Sequence, residues 1–307
     1  MSTTMSTKIL CKDAEATALK LRLDTGLRVR LAARSNEYTK STSGLAPTYL
    51  QANLVVLPSR YAADFRGLCA RNPVPCPLIA ESSSVGNYSS LKSYLPRLST
   101  SSQLAAGLDL RTDCPRYNVY DGSRLSKAGV SAVTDEWTDD HVAFLIGCSH
   151  CFESALECAG FTVRHSVQDR TVPIYRTSVP LNPSGIFTGS TYVVSMRPFP
   201  KKDIERVREI TRAYAPTHGE PLAWGWDALA RLGIADIDLP QWGDAPLTED
   251  GQQPLGTLVG DDNNVPVFWG CGVTPQEAIM KAPLEGTILA HAPGHMLVLD
   301  CREDDVL

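Results

Sequence analysis

The sequence predicts an α/β protein. Three observations carry that expectation. Short runs rich in Val, Ile and Leu, closed by Pro or Gly, alternate with stretches whose apolar residues recur at helical spacing. Apolar residues make up 43% and charged residues 21%, the composition of an ordinary globular chain. At 307 residues the chain fits two domains or one large α/β domain. A chain of this size can bury roughly 75% of its unfolded surface, so its core needs neither disulfides nor metal.

Taken in order, residues 1–45 read as a polar lead-in with one helix over Asp13–Arg22 and a loop SNEYTKSTSG, and order begins at Thr48. YLQANLVVLP is a strand closed by Pro58, and Ser59 caps a helix that runs to Asn72 and stops at Pro73. RNPVPCP is an extended turn. The Ser-rich stretch 81–103 reads as a surface insertion, and a hairpin is expected around Tyr117–Gly122. Asp139–Ala159 reads as helical, interrupted at Gly147-Cys148-Ser149. FTVRHSV, VPIYRTSV and STYVVSMRP read as strands, and Asp203–Tyr214 as a helix ended by Pro216. After a loop-rich stretch over 240–264, VPVFWGCG is a buried strand, TPQEAIMKA a helix and GHMLVLD a last strand. The alternation suggests a partly parallel sheet. No internal repeat, phosphate loop or dinucleotide fingerprint is present.

Charge and composition exclude several classes. With 29 Lys and Arg against 34 Asp and Glu, the net charge is −5, which argues against broad phosphate neutralisation and hence against a nucleic-acid partner. No run of 18 apolar residues exists, so no membrane-spanning helix is expected. The N-terminus lacks the apolar core of a secretory signal. Its Ser/Thr content is faintly transit-peptide-like, but Asp13, Glu15 and Asp24 count against that. Nine irregularly spaced cysteines read as reduced thiols. The cytoplasm is the expected compartment, with the mitochondrial matrix second.

Chemistry concentrates in a few segments. In VPVFWGCGVTPQEAIM a strand ends, Gly270-Cys271-Gly272 turns, and a helix opens at Thr274, whose spacing to Glu277 is that of a capping box. A helix start at a strand's end offers free N–H groups to an anion, which makes Cys271, Gly272, Thr274 and Gln276 candidates for a carboxylate site. His291 and His295 are four apart, but Pro293 and Gly294 forbid the helix that would align them on zinc, leaving proton transfer or substrate donation. Cys148 and Cys151 lack the second pair that a zinc site needs. Cys148 alone is a candidate nucleophile or site-lining thiol. Arg111, Arg116, Arg164, Arg176 and Arg197 stand beside turns and could fork a carboxylate, with Asp113, Glu153 and His218 as proton-transfer groups. No metal site and no cofactor are expected.

At these segments the chain resembles the hydro-lyase family often called the D-glutamate cyclase family. The matching blocks run from about Gly44 to Asp300: YLQANLVVLP at Tyr49–Pro58, RNPVPCPL at Arg71–Leu78, LRTDCPRY at Leu110–Tyr117, FLIGCS at Phe144–Ser149, VPIYRT at Val172–Thr177, VVSMRP at Val193–Pro198, VPVFWGCGVTPQ at Val265–Gln276 and HAPGHMLVLD at His291–Asp300. The resemblance implies a fold of two intimately associated α/β subdomains with mixed sheets over residues 46–307, dividing near 110 and 200. It also implies a cofactor-independent dehydration of the kind that turns D-glutamate into 5-oxo-D-proline and water. The chain departs from the family pattern in places. Where the family carries Ser-Phe-Ser-Phe-Glu, this chain has Ser149-His150-Cys151-Phe152-Glu153, and Glu220, Trp224 and Trp226 replace smaller or differently charged residues. If the last three line the pocket, the substrate has shifted from glutamate.

The sequence therefore points to a lyase acting by dehydration, cyclisation or elimination on a small amino-acid-like carboxylate. Its candidate catalytic groups are His218, His291, His295, Asp113, Glu153 and Cys148. Arg111, Arg116, Arg176, Arg197, Cys271, Gly272, Thr274, Gln276, Glu220, Trp224 and Trp226 are the candidate substrate contacts. Only a small-molecule partner is expected, with a homo-oligomer left open. The alternative is a non-catalytic amino-acid or carboxylate binder.

Overall fold

A computed structural model describes residues 22–306; the helix expected over Asp13–Arg22 lies almost wholly outside them. Two antiparallel sheets organise the chain. The first contains β1 (Tyr49–Pro58), β2 (Leu78–Ser82), β3 (Leu91–Ser93), β4 (Tyr117–Asp121), β5 (Arg124–Val130), β6 (His141–Gly147), β11 (Thr287–His291) and β12 (Leu297–Arg302), in the order β3-β2-β6-β1-β11-β4-β5, with β12 also on β1. The second is β7 (Ile174–Pro180), β8 (Thr191–Phe199), β10 (Val265–Gly270) and β9 (Ala223–Trp224), in the order β7-β8-β10-β9. The α/β class holds. The parallel pairing does not, since every described strand pair is antiparallel.

The reason lies in β1. Nine of its ten residues are buried, because the sheet is covered on both faces. Leu50, Ala52, Leu54 and Val56 face one core, which includes Phe199, Val265, Val267 and Trp269 of the second sheet. Val55 and Leu57 face the other, where Phe65 and Leu68 of the helix Ala62–Arg71 and Ala278 and Ile279 of the helix Val273–Lys281 pack. A strand buried on both faces reads as a continuous apolar run whatever its direction, so the run cannot distinguish parallel from antiparallel neighbours. The same burial explains β6: HVAFLIG lacks alternation, reads as helix, and is a fully buried strand aligned with β1 along seven residue pairs.

One edge of β1 changes partner midway. Tyr49–Ala52 pair with β12 and Val55–Val56 with β11, leaving Asn53 and Leu54 between the two registers, opposite the turn that joins β11 to β12. That turn is the HAPGH block.

Three further stretches depart from expectation. The lead-in contains an ordered helix, Gly26–Arg34, capped by Thr25 and docked through Val29 and Ala32 onto Val298. The Ser-rich stretch holds β3 and a capped turn of helix at Ser101–Leu104, and buries Leu91, Leu95, Leu98 and Leu104. FTVRHSV forms a helical turn, Arg164–Val167, rather than a strand. Among the described residues no helix is long and apolar enough to cross a membrane.

The helix Gly26–Arg34 is held by charge. Arg30, fully buried, donates to both carboxylate oxygens of Asp300 at 3.0 and 2.7 Å and to the carbonyls of Val298 and Ala106, and its Nε lies 3.6 Å from Asp113. Arg34 donates twice to Asp113 Oδ1, at 2.9 and 2.7 Å. Asp113→Ala should therefore cost about 1.5–3 kcal/mol, the worth of its charge-assisted hydrogen bonds, since Arg30 keeps Asp300 and Arg34 reaches solvent, while any activity of the folded protein is kept. Chemical denaturation and kcat measured together check this; an unaltered stability with lost turnover would return Asp113 to the chemistry.

Glu303, in the C-terminal turn Glu303–Val306, is buried and accepts from Ser154 Oγ. Burial, with Asp304 and Glu153 nearby, pushes its carboxyl up to about 7. The folded state thus holds this proton more tightly than the unfolded chain, so stability should fall as pH rises from about 4.5 through 7. Glu303→Gln should flatten that segment of the stability–pH curve, as measured by urea melts across the range; an unchanged slope would show that Glu303 does not set it.

Candidate active site

The turn after β6 is the point where both sheets and the β11–β12 turn converge. Gly147 is a glycine because a Cβ there would sit 2.0 Å from the Pro216 carbonyl, and one on Gly272 would sit 1.9 Å from Asn53 Nδ2. Their absence lets three backbones close up. The Gly147 carbonyl then accepts from Asn53 Nδ2 at 3.2 Å and faces His218 Nε2 at 3.0 Å.

His291 ends β11 against this turn. Its Nε2 lies 3.1 Å from Asn53 Oδ1 and 2.9 Å from Gln276 Nε2, and its Nδ1 lies 2.7 Å from the Ala292 carbonyl. Burial drives its pKa down to about 4, so the ring is neutral at pH 7 and carries a lone pair between two amides. His218 is also buried and neutral, with a pKa pushed by burial down to about 4. It adopts φ +88° and places its ring nitrogens 2.8 and 3.0 Å from the carbonyls of Val74 and Gly147. A neutral ring can donate to one of these, so the other carbonyl faces a lone pair. A left-handed non-glycine residue in that setting is held by its surroundings rather than by its own preference.

On the other side of the turn, Arg197 of β8 is fully buried. Its Nε and Nη2 both donate to Glu153 Oε1, its Nη1 to Ser195 Oγ at 3.0 Å and its Nη2 to Ser149 Oγ at 3.4 Å. The two hydroxyls lie 3.3 Å apart. The guanidinium also sits over Phe152 and Trp269, at 5.1 and 5.4 Å. Burial alone would raise the Glu153 pKa, but Arg197, His165 and His150 outweigh it and keep the group ionised. Cys148 Sγ lies 3.5 Å from His150 Nδ1. Cys271 is buried, and burial holds its thiol protonated with a pKa near 11. Glu153 and His150 line a groove of about 480 Å³ between residues 38–51 and 150–171.

The fold thus gathers His291, Gln276, Gly272, Cys271, His218, Cys148, Glu153 and Arg197. It sets the other candidates apart. Arg111 is engaged twice by Asp109 and stacks 3.3 Å over the Tyr88 ring. Arg116 donates to Asn36 and the Pro115 carbonyl. Arg176 is exposed and forks Glu277 at 2.7 and 3.0 Å. That pairing takes Glu277 from the expected capping box, and Thr274 instead bridges to the Val193 backbone. Asp113 is spent on Arg30 and Arg34. His295 bonds within its own turn to Pro293. Glu220 pairs with Arg208 and Arg212, Trp224 lies under Arg208, and Trp226 donates to Asp261. These last three surround the second sheet's outer strand rather than the Gly147 turn.

Sequence reasoning passed over Asn53, Ser149, Ser195, His150 and His165. Asn53 offered one signal, being with Gln51 one of two amides inside a strand whose other inner residues are apolar.

Most of the chain can be compared with known proteins. The sequence profile of the D-glutamate cyclase family matches residues 142–300. A Schizosaccharomyces pombe protein bearing the name "putative hydro-lyase" is 42% identical over 274 residues, 89% of this chain and 83% of its own. A similarly named protein of Ruegeria pomeroyi is 44% identical over 285 residues, 93% of each chain, and one of Staphylococcus haemolyticus 41% over 278 residues, 91% of this chain and 95% of its own. A profile spanning half the chain, and relatives this close over nearly all of it, leave one assignment: the chain belongs to the D-glutamate cyclase family and is an enzyme of the carbon–oxygen lyase class.

Proposed function

We propose that the junction at Gly147–Ser149 expels water from a small amino-acid-like carboxylate substrate, with cyclisation of D-glutamate to 5-oxo-D-proline as the reaction that fits best. The observation that carries this reading is the neutral, buried His291 imidazole held between the Asn53 and Gln276 amides; two hydroxyls fixed by one guanidinium lie on the other side of the Gly147 turn. From an ammonium and a carboxylate, ring closure requires the nitrogen to lose two protons, one before it attacks the side-chain carboxyl carbon and one from the tetrahedral adduct, while one carboxylate oxygen gains both and departs as water. One neutral imidazole can carry these two protons in turn from nitrogen to the departing oxygen, so the proton count closes without another group. A substrate carboxylate beside the ring would raise its pKa from about 4 toward the working range, where such a shuttle is effective.

Ser149 and Ser195 are the donors placed to stabilise the tetrahedral oxyanion. Arg197, already paired with Glu153, orients them and supplies their positive field rather than clamping substrate itself. A shifted substrate rested on Glu220, Trp224 and Trp226. Their bonds to Arg208, Arg212 and Asp261 give that shift no support, and D-glutamate returns as the first substrate to test.

Purified protein incubated with D-glutamate should release 5-oxo-D-proline, read by chiral mass-spectrometric analysis. His291→Gln should lower kcat by about 10²- to 10⁴-fold, the usual worth of general acid–base catalysis, with a melting temperature close to wild type. Ligand-induced thermal stabilisation without product from any amino acid would instead identify a binder and overturn the lyase reading. A fully active His291→Gln would move the proton transfer elsewhere.

A further inference from the structure

Beside the junction, and independently of the reaction proposed for it, His150, Glu153 and His165 bring three donors together. One ligand atom from each lies within 4.8 Å of the other two. We propose that these residues form a binding site for a divalent first-row metal ion of the zinc class.

The chemistry of the donors is that of such a site: two imidazoles and a carboxylate, a set that suits zinc and its neighbours rather than calcium or magnesium. The spacing suits it too. His165 Nε2 and Glu153 Oε1 lie 3.3 Å apart, close to the separation of about 3.3 Å that two ligands adopt across a tetrahedral ion with bonds near 2.0 Å. Nε2 of His150 and Nε2 of His165 are both sealed from solvent, and neither has a hydrogen-bond partner. His165 is only 8% exposed, and its Nε2 faces Glu153 Oε1 at 3.3 Å without hydrogen-bond geometry, an incomplete contact that an ion between them would complete. His150 is further oriented by Cys148 Sγ at its Nδ1, which leaves Nε2 as its free donor and matches the way ligating imidazoles are held through their second nitrogen.

Arg197 does not preclude the ion. Both of its contacts with Glu153 fall on Oε1, the oxygen that also lies 3.3 Å from His165 Nε2, and among the described residues Oε2 accepts no hydrogen bond, so the carboxylate keeps an oxygen for the ion. The carboxylate can therefore bridge a guanidinium and a cation. Three protein ligands leave further coordination positions, and His150 and Glu153 line the groove through which an exchangeable ligand would arrive. The site departs from sequence expectation in an instructive way. Spacing drew attention to Cys148 and Cys151, whereas the structure gathers the imidazole between them and another fifteen residues on.

The test uses the full-length protein stripped with chelator and titrated with Co²⁺ and Zn²⁺. One equivalent of Co²⁺ should give visible d–d absorption, displaced by Zn²⁺, and Zn²⁺ should raise the melting temperature. His150→Phe and His165→Gln should each weaken binding at least about 100-fold, while His295→Gln leaves it unchanged. His150 is half-buried and on the groove wall, so His150→Phe is the variant expected to fold normally if His165→Gln does not. Absence of Co²⁺ absorption with folded wild type, or binding retained in folded His150→Phe, would overturn the site. The D-glutamate assay is read separately, so a failed reaction and a failed metal site remain distinguishable.

Discussion

The structure depends on one buried charge. Arg197 is inaccessible to solvent, lies on a central strand of the smaller sheet, and faces the turn that leaves the larger one. Desolvating a guanidinium costs several kcal/mol, and removing its partner would leave that cost uncompensated. Glu153 answers it from the short helix after β6, two hydroxyls accept its remaining donors, and two aromatic faces lie against it. The contacts with Glu153, Ser149 and Phe152 tie the second sheet to the Gly147–Ser149 turn and the residues that follow it. Arg197 thus fixes how the sheets meet, and with them the placement of every polar group at the junction.

The same reasoning separates charges that are spent on structure from groups left free to exchange a proton. Arg111, Arg176 and Asp113 each have a close local or structural partner, and their donors and acceptors are used. His291 and His218 have no charged partner; burial alone makes them neutral, and a neutral imidazole among amides and carbonyls can still gain a proton.

Much of the fold was legible. β1, β7, β8, β10, β12, the hairpin at 117–130 and the helices at 62–71, 204–212 and 273–281 fall where apolar runs and prolines put them. β6 was misread because a strand buried on both faces has no period. The helix at 26–34 was missed because its buried side includes Arg30, whose reason for burial is Asp300, 270 residues away. The site was legible only in part for the same physical reason. His291, Gln276 and Arg197 stand in recognisable blocks, but Asn53 meets His291 across 238 residues, and nothing near Asn53 in sequence announces the meeting. Local spacing also overstated the Thr274–Glu277 cap, since Arg176 and the Val193 backbone compete for both side chains.

The divided edge of β1 has a consequence for how the chain acquires its site during synthesis. β1 is made long before the strands that close that edge, β11 for one half and β12 for the other. Contacts of such sequence separation form slowly because the loop they close must be ordered first. A ribosome-bound chain that still lacks residues 287–302 has an open, largely apolar strand at its centre and no histidine opposite Asn53. Such a strand is an adhesive edge, the kind that holdase chaperones shield. The step that covers it also brings His291 to Asn53, so a chain cannot become safe from aggregation without also assembling the junction.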